Sequence, residues 1–381
     1  MKILYDYQIF SKQSRGGISR YYVELMRQFE DNPGVTYNVS LLLSNNLYLD
    51  TLRSFSDRRF AAPHTSPDKK FTAVFNKPPC RFLKTFINLQ ASKRVVAGQD
   101  YDVFHPTYFY PYFLKYLKKK PFILTIYDMI HEIYPDYFES SDRIREWKRQ
   151  LAQKATKIIA ISENTRQDII RFYNIDPEKI EVTHLASSLK AEPPLEKNGH
   201  VQPVLSYPYL LFVGKRKLYK NFDFFISSAA PLLKQYPNLK VVCTGGEPIS
   251  NEERQTFSTL GITGRVIQIF PDDAALGKLY LDAIALVFPS LYEGFGIPVL
   301  EAFNCGCPVI ASNASSLPEI GGDAALYFNP GDSSSILEAL DIIVEDQEIR
   351  NECIKRGYQR AKEFSWEKTA KLTERVYKGA I

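Results

Sequence analysis

The sequence predicts an α/β protein of two doubly wound domains, and three observations point there. Short apolar runs alternate with helical apolar spacing in both halves, the pattern of parallel strands joined by crossover helices. At 381 residues the chain exceeds one comfortable hydrophobic core. A polar, proline-bearing stretch at 189–206, LKAEPPLEKNGHVQPVLS, divides the halves as an interdomain linker would. The expected division is a first domain over 1–190, a linker over 191–206, a second domain over 207–362 and a closing helix over 363–381.

In chain order, Lys2–Tyr5 reads as the first strand. A polar loop then carries Arg15-Gly16-Gly17 into a helix over Ile18–Phe29. A glycine pair leading into a helix makes a cradle for an anion, and it is also what a tight strand–helix turn needs. Residues 46–96 show no clear period and are broken by Pro63, Pro67, Pro78 and Pro79. Asp102–His105 and Phe122–Tyr127 are the next buried strands. In open α/β sheets the carboxyl ends of strands face the ligand, which singles out His105, Tyr127, Asp128 and His131. A lone histidine is as readily a satisfied packing residue, and that alternative stands for both His105 and His131. Ile158–Ser162 is a further strand, with Ser162 or Asn164 capping the helix through Arg171. Ile180–His184 is the last of this half.

The second half opens with the strand Tyr209–Val213, followed at once by GKRKLYKN. Arginine engages two oxygens at a time and lysine supplies a point charge, so Arg216 and Lys220 suit a diphosphate. A solvated charge run is the alternative. Lys240–Thr244, Arg265–Phe270, Leu286–Phe288 and Val309–Ala311 continue the alternation, and Glu363–Trp366 starts a helix to Lys378.

The densest signal is PSLYEGFGIPVLEAFNCGCPVIAS, which reads as strand end, glycine-punctuated turn, helix and strand. Gly294 and Gly296 carry no Cβ and let backbone approach a ligand around Phe295. The helix starts near Ile297, where Pro298 is tolerated and free N–H groups attract electron-rich oxygen. Glu293 precedes the turn and Glu301 falls on the helix, eight residues on. Two carboxylates so placed accept hydrogen bonds from several hydroxyls of one polar ligand.

This E-x7-E block, followed by SSLPEIGGDAALYFNPGD, resembles the family-four retaining glycosyltransferases of GT-B fold. The resemblance implies two Rossmann-like domains facing a central cleft, with the nucleotide sugar held by the second. It implies Glu293 beside the donor sugar, Glu301 on the ribose, Arg216 and Lys220 on the donor phosphates, and Gly16-Gly17 facing the diphosphate. It implies retention of anomeric configuration with no metal and no cofactor. Many relatives carry T-x-H-D-L where this chain has TIYDMIHE. Tyr127, Asp128 or His131 is then the candidate for the missing histidine's contact. Relatives with a similar opening act in bacterial surface polysaccharide synthesis, lipopolysaccharide included. GDP-mannose is therefore the first expected donor, ahead of UDP-glucose and dTDP-rhamnose, with a glycan or lipid-linked acceptor. A nucleotide-sugar 2-epimerase and a non-catalytic nucleotide-binding homologue remain as rival readings.

Bulk properties narrow the setting. No apolar run approaches the ~20 residues that span a bilayer, and the N-terminus reads as a strand, not a signal peptide. Five scattered cysteines, including Cys305 and Cys307, fit a reducing, cytoplasmic setting. Residues 1–190 carry 29 Lys+Arg against 20 Asp+Glu, and the remainder 19 against 23. That basic half, with seven aromatics and four lysines between Tyr108 and Phe122, is compatible with peripheral contact at the inner membrane face. No nucleic-acid motif accompanies it. Asp100 and Asp102 form D-x-D, a metal motif in transferases of the other major fold, but here they lead into a strand.

Overall fold

Apolar runs of three to five residues form parallel strands in a computed structural model that describes residues 1–56, 80–139, 141–191 and 205–381. The chain divides into two units, one of residues 1–185 with 366–381, the other of residues 186–365. Most of the expected 191–206 linker lies outside the described residues, as do Pro63, Pro67, Pro78 and Pro79.

In the first unit the strands are β1 (Lys2–Asp6), β2 (Thr36–Ser40), β3 (Val103–His105), β4 (Ile123–Ile126), β5 (Lys157–Ala160) and β6 (Ile180–Val182). They pair in parallel as β2-β1-β3 and β4-β5-β6, and a parallel bridge from Phe104 to Phe122 joins the two sets. The strand succession reverses direction between β1 and β3. β2 has no counterpart in the sequence reading. Its TYNVS mixes exposed and buried positions at a sheet edge, so it lacks the continuous apolar run of its neighbours. Asp100 and Asp102 are both taken by Lys2: its Nζ pairs with Asp100 at 2.6 Å, and its backbone N–H donates to Asp102 at 2.7 Å.

A buried polar network ties the ends of β1 and β3 together. Asp6 accepts from the Thr107 amide and hydroxyl at 2.9 and 2.7 Å and from Gln8 Nε2 at 2.7 Å. Burial pushes the Asp6 carboxyl up, and these donors pull it back. Gln8 then clamps the Tyr110 backbone from both sides, accepting from its N–H and donating to its C=O.

The final helix, Trp366–Lys378, belongs to this unit and packs on the helix Gly17–Glu30. Its Tyr377 is fully buried, with its hydroxyl 2.6 Å from His105 Nδ1 and 3.1 Å from the Tyr5 hydroxyl. His105 Nε2 meets Thr125 Oγ1 at 2.9 Å. The expectation of a ligand-facing His105 is therefore corrected. Its ring is fully enclosed by hydroxyls that hold the last helix in place. Tyr127 is also a packing residue, 7% exposed, with its hydroxyl donating to Tyr22 at 2.8 Å.

The second unit holds one parallel sheet in the order β12-β11-β10-β7-β8-β9. Its strands are β7 (Tyr209–Val213), β8 (Lys240–Thr244), β9 (Val266–Ile269), β10 (Ala285–Phe288), β11 (Val309–Ser312) and β12 (Ala325–Phe328). Phe212, Phe222, Phe225, Leu233 and Val287 anchor its core. Here the succession reverses between β7 and β10, which are paired neighbours. Cys305 and Cys307 are buried, and burial pushes the Cys305 thiol up to about 12, so both are packing residues.

Burial lowers the His105 pKa to about 3, below its unfolded value of about 6.5. Below pH 6.5 the unfolded chain takes up a proton that the native ring refuses, so acid favours unfolding. At pH 4.5 this costs roughly 2–3 kcal/mol relative to neutral pH. Denaturant titrations should show the His105→Asn variant less stable at pH 7.5 but with a flatter decline from pH 6.5 to 4.5. Parallel declines in both proteins would contradict the assignment.

Candidate functional site

The strand succession reverses between β7 and β10, and the carboxyl ends of strands at such a reversal are the place where open α/β sheets bind ligands. Lys220 lies beyond β7 and Glu293 beyond β10. Their side chains meet there, Lys220 Nζ to Glu293 Oε1 at 2.5 Å, with 17% and 13% of each side chain exposed. The Leu291 N–H donates to the Tyr219 carbonyl at 2.7 Å and stitches the two loops together. Ser290 Oγ donates to the same Glu293 oxygen at 2.6 Å.

The Glu293 backbone is held as firmly as its side chain. Its N–H donates to Ser315 Oγ at 2.8 Å, and Ser316 Oγ lies 2.9 Å from both the Glu293 and Phe295 carbonyls. Gly294 and Phe295 are buried, and Phe295 packs edge-on against Phe364. Gly296 caps the helix Ile297–Asn304 at φ +106°, and a Cβ there would stand 2.8 Å from Leu317. Only glycine takes that conformation readily. The helix begins at Ile297 with Pro298 in its first turn. Glu301, 7% exposed, accepts from the Tyr280 hydroxyl at 3.0 Å. Burial first, and then the Glu301 carboxylate, push the Tyr280 pKa well up, so that hydroxyl stays protonated and fixes the carboxylate.

Arg216 does not join this group. Its side chain is 3% exposed and spent on neighbours: Nε to Glu253 at 2.8 Å, Nη2 to the Glu247 carbonyl at 2.7 Å, and Nη1 to Gln268. Burial alone would raise the Glu253 carboxyl, but Arg216 and the Ser250 amide together pull it down. Arg216 thus fastens the helix Asn251–Thr259 beside β8 and β9. Sequence pattern could not separate it from Lys220, because the partner carboxylate lies 37 positions away. The serines around Glu293 lie inside the motif, Ser290 in PSLYEGFG and Ser315 and Ser316 in SSLPEIGG, but no signal in the sequence marks their contacts with Glu293. Lys215 and Lys217 are exposed.

The remaining expected residues sit in the first unit. Gly16 precedes the helix Gly17–Glu30 in extended backbone, and a Cβ on it would strike the Gln13 side chain, whose Oε1 accepts from the Ser19 N–H at 3.1 Å. Asp128, its side chain 37% exposed, accepts from the Ile130 N–H at 3.1 Å. His131 stacks on Phe138 with ring centroids 3.9 Å apart, and its Nε2 lies 3.6 Å from Asp142. Burial and then the nearby Lys148 lower its pKa. Of the three candidates around the departed T-x-H-D-L pattern, Tyr127 is enclosed, while Asp128 and His131 keep partial exposure.

Two family models match this chain: "Glycosyltransferase Family 4" over residues 15–186 and "Glycosyl transferases group 1" over residues 199–360. The chain is similar to O-antigen chain mannosyltransferase B of Escherichia coli, 31% identical over 293 residues that cover 74% of each chain. It is also 30% identical to O-antigen chain mannosyltransferase RfbU of Salmonella typhimurium, over 57% of this chain and 59% of that one. Among solved structures, sucrose-phosphate synthase from Thermosynechococcus elongatus matches with a TM-score of 0.71 at 20% identity, covering 100% of this chain and 98% of that one. Anabaena HepE in complex with UDP and glucose matches with a TM-score of 0.70 at 16% identity, covering 98% of each. These likenesses assign the two Rossmann-like units to the GT-B fold.

Removing Arg216 would leave Glu253 uncompensated in a largely buried setting. Arg216→Met should therefore cost about 3–5 kcal/mol of stability, whereas Lys217→Met should stay within about 0.5 kcal/mol. Denaturant midpoints of the two variants check this. Equal midpoints would mean that the Arg216 hydrogen bonds carry no weight.

Proposed function

Because this chain belongs to the family-four glycosyltransferases, we propose that it moves mannose from GDP-mannose to a glycan or lipid-linked acceptor with retention of configuration and without a metal. The observation that carries this reading is the Lys220–Glu293 pair at the reversal point of the second sheet. Breaking an anomeric bond builds negative charge on the departing diphosphate and positive charge on the sugar. A fixed cation and a fixed carboxylate a few ångströms apart match that separation. The bound donor divides the pair: Lys220 turns to the diphosphate, and Glu293 stays beside the sugar, held by Ser290 and Ser315. The helix start at Ile297 adds backbone N–H groups to the phosphate side. Glu301, fixed by Tyr280, accepts from ribose hydroxyls.

Gly16 and Gly17 keep an anion-facing role on the family resemblance alone. Asp128 and His131 are the partly exposed groups suited to the sugar contact that relatives give to histidine. Arg216 acts through the loop that carries Lys220, as a positioning residue. Mannose as the transferred sugar is supported by the names of the Escherichia coli and Salmonella typhimurium relatives. The same likeness supports surface polysaccharide synthesis, and we place that reaction at the cytoplasmic face of the membrane. Among the described residues no helix is long and apolar enough to cross a membrane. Peripheral membrane contact remains part of the proposal, but most aromatics of the Tyr108–Phe122 segment, including Phe109, Tyr112 and Phe113, pack inward.

Donor turnover by wild type, Glu293→Gln and Glu301→Ala over a panel of nucleotide sugars tests this reading. Glu293→Gln should lower kcat by about 10²–10³-fold with nucleotide affinity kept. Glu301→Ala should raise the donor KM and spare kcat. Turnover of a UDP-sugar but not GDP-mannose would overturn the donor. Equal turnover by wild type and Glu293→Gln would overturn the mechanism.

A further inference from the structure

The turn after β4, residues 128–133, rests on a charged cluster inside the first unit. Lys148, on the helix Ile144–Lys154, pairs with Glu132 at 2.7 Å, and neither side chain is exposed. Lys148 Nζ also donates to the Asp128 carbonyl at 2.9 Å and stands 4.0 Å from the Asp128 carboxylate. From the end of the helix Glu163–Tyr173, the Tyr173 hydroxyl donates to the other Glu132 oxygen. Burial first, and then the Glu132 carboxylate, push the Tyr173 pKa up, so that donor stays protonated. Phe109, from the segment after β3, covers the ammonium with its ring centre 5.7 Å away.

Stability alone gives little reason for this arrangement. Two charges taken out of water lose solvation that their attraction repays only in part, and apolar side chains of similar volume often serve a fold as well or better. The same turn leaves His131 Nδ1 buried with no hydrogen-bond partner among the described residues, a further cost. What the cluster does achieve is placement. Lys148, Glu132 and Tyr173 are buried, and Asp128, with 37% of its side chain exposed, is the member open to solvent. Lys148 holds its backbone, and the Ile130 N–H donates to its Oδ1 at 3.1 Å. Asp128 is thus gripped at carbonyl and carboxylate together, just past the carboxyl end of β4.

From this we propose that Lys148 is a positioning residue, which with Glu132 and Tyr173 holds Asp128 in the orientation that receives hydroxyls of the donor sugar. The role rests on the transferase reading above. A carboxylate free to rotate must be ordered by the sugar, at a cost in binding; one already fixed meets it in the productive geometry. Lys148 itself touches no substrate and enters no chemical step. Its loss is felt where the sugar is gripped, while the nucleotide, held by the second unit, is bound as before.

Turnover of the nucleotide sugar that wild type uses, read beside calorimetric GDP affinity, tests it on the full chain. Lys148→Met alone would strand Glu132 in the interior, so the informative variant is Glu132→Leu/Lys148→Met/Tyr173→Phe, which removes all three buried polar groups together. It should melt within about 5 °C of wild type and bind GDP within about twofold, while kcat falls about 10–10²-fold. Tyr173→Phe, the mildest change, should lower kcat by about two- to fivefold. Asp128→Asn should lower kcat about tenfold and cost little more when added to the triple variant, because both remove the same contact. A triple variant with wild-type kcat, or losses that simply multiply when Asp128→Asn is added, would overturn the role. Should the triple variant fail to fold, unchanged kcat in Tyr173→Phe overturns it instead. A wild type that turns over no nucleotide sugar sinks the transferase reading and this role with it, whereas an active wild type with equally active variants sinks this role alone.

Discussion

The second unit is organised around one ion pair, Lys220 to Glu293 at 2.5 Å. Two charges so little exposed to water lose much of their solvation, and their attraction repays it only when other donors and acceptors are fixed around them. The surrounding hydrogen bonds do this. Ser290 supplies a second donor to the carboxylate, Ser315 and Ser316 immobilise its backbone, and the Leu291–Tyr219 hydrogen bond locks the two loops. Gly296 at positive φ then turns the chain sharply enough to start a helix. Each feature makes sense as support for a cation and an anion held in place before a ligand arrives.

Arg216 and Lys220 illustrate how the same local sequence serves two ends. Both follow β7 within one basic run, yet one side chain turns to Glu253 and the other to Glu293. The buried one has a full set of protein partners and stiffens the loop. The other has a single carboxylate partner among the described residues, and a competing anion can draw it away. That difference, more than net charge, separates a structural cation from one available to a substrate.

Much of this site was legible in the sequence because its determinants are local. Glu293, the glycines, Pro298 and Glu301 lie within nine residues, and their order fixes strand end, turn and helix whatever packs around them. Tyr209–Val213 and Lys240–Thr244 were readable for a similar reason, as continuous apolar strands of a sheet covered on both faces. The misassignments are all side chains whose destination depends on distant residues. His105 is claimed by Tyr377, 272 positions on, and Tyr127 by Tyr22, 105 positions back. Strand β2 failed for another reason: TYNVS lies at a sheet edge with mixed exposure and lacks an unbroken apolar run.

The central claim is that the Lys220–Glu293 pair is a site and not a strut. A double-mutant cycle with Lys220→Met and Glu293→Gln, read by calorimetric titration of GDP into each protein, tests it most directly. The account predicts that Lys220→Met weakens GDP roughly tenfold or more, the effect of deleting one charge-assisted hydrogen bond to a phosphate. It predicts that Glu293→Gln leaves affinity equal or higher, since the lysine is released. Unchanged GDP affinity in all three variants, with stability reduced in each single mutant and restored in the double, would show a strut.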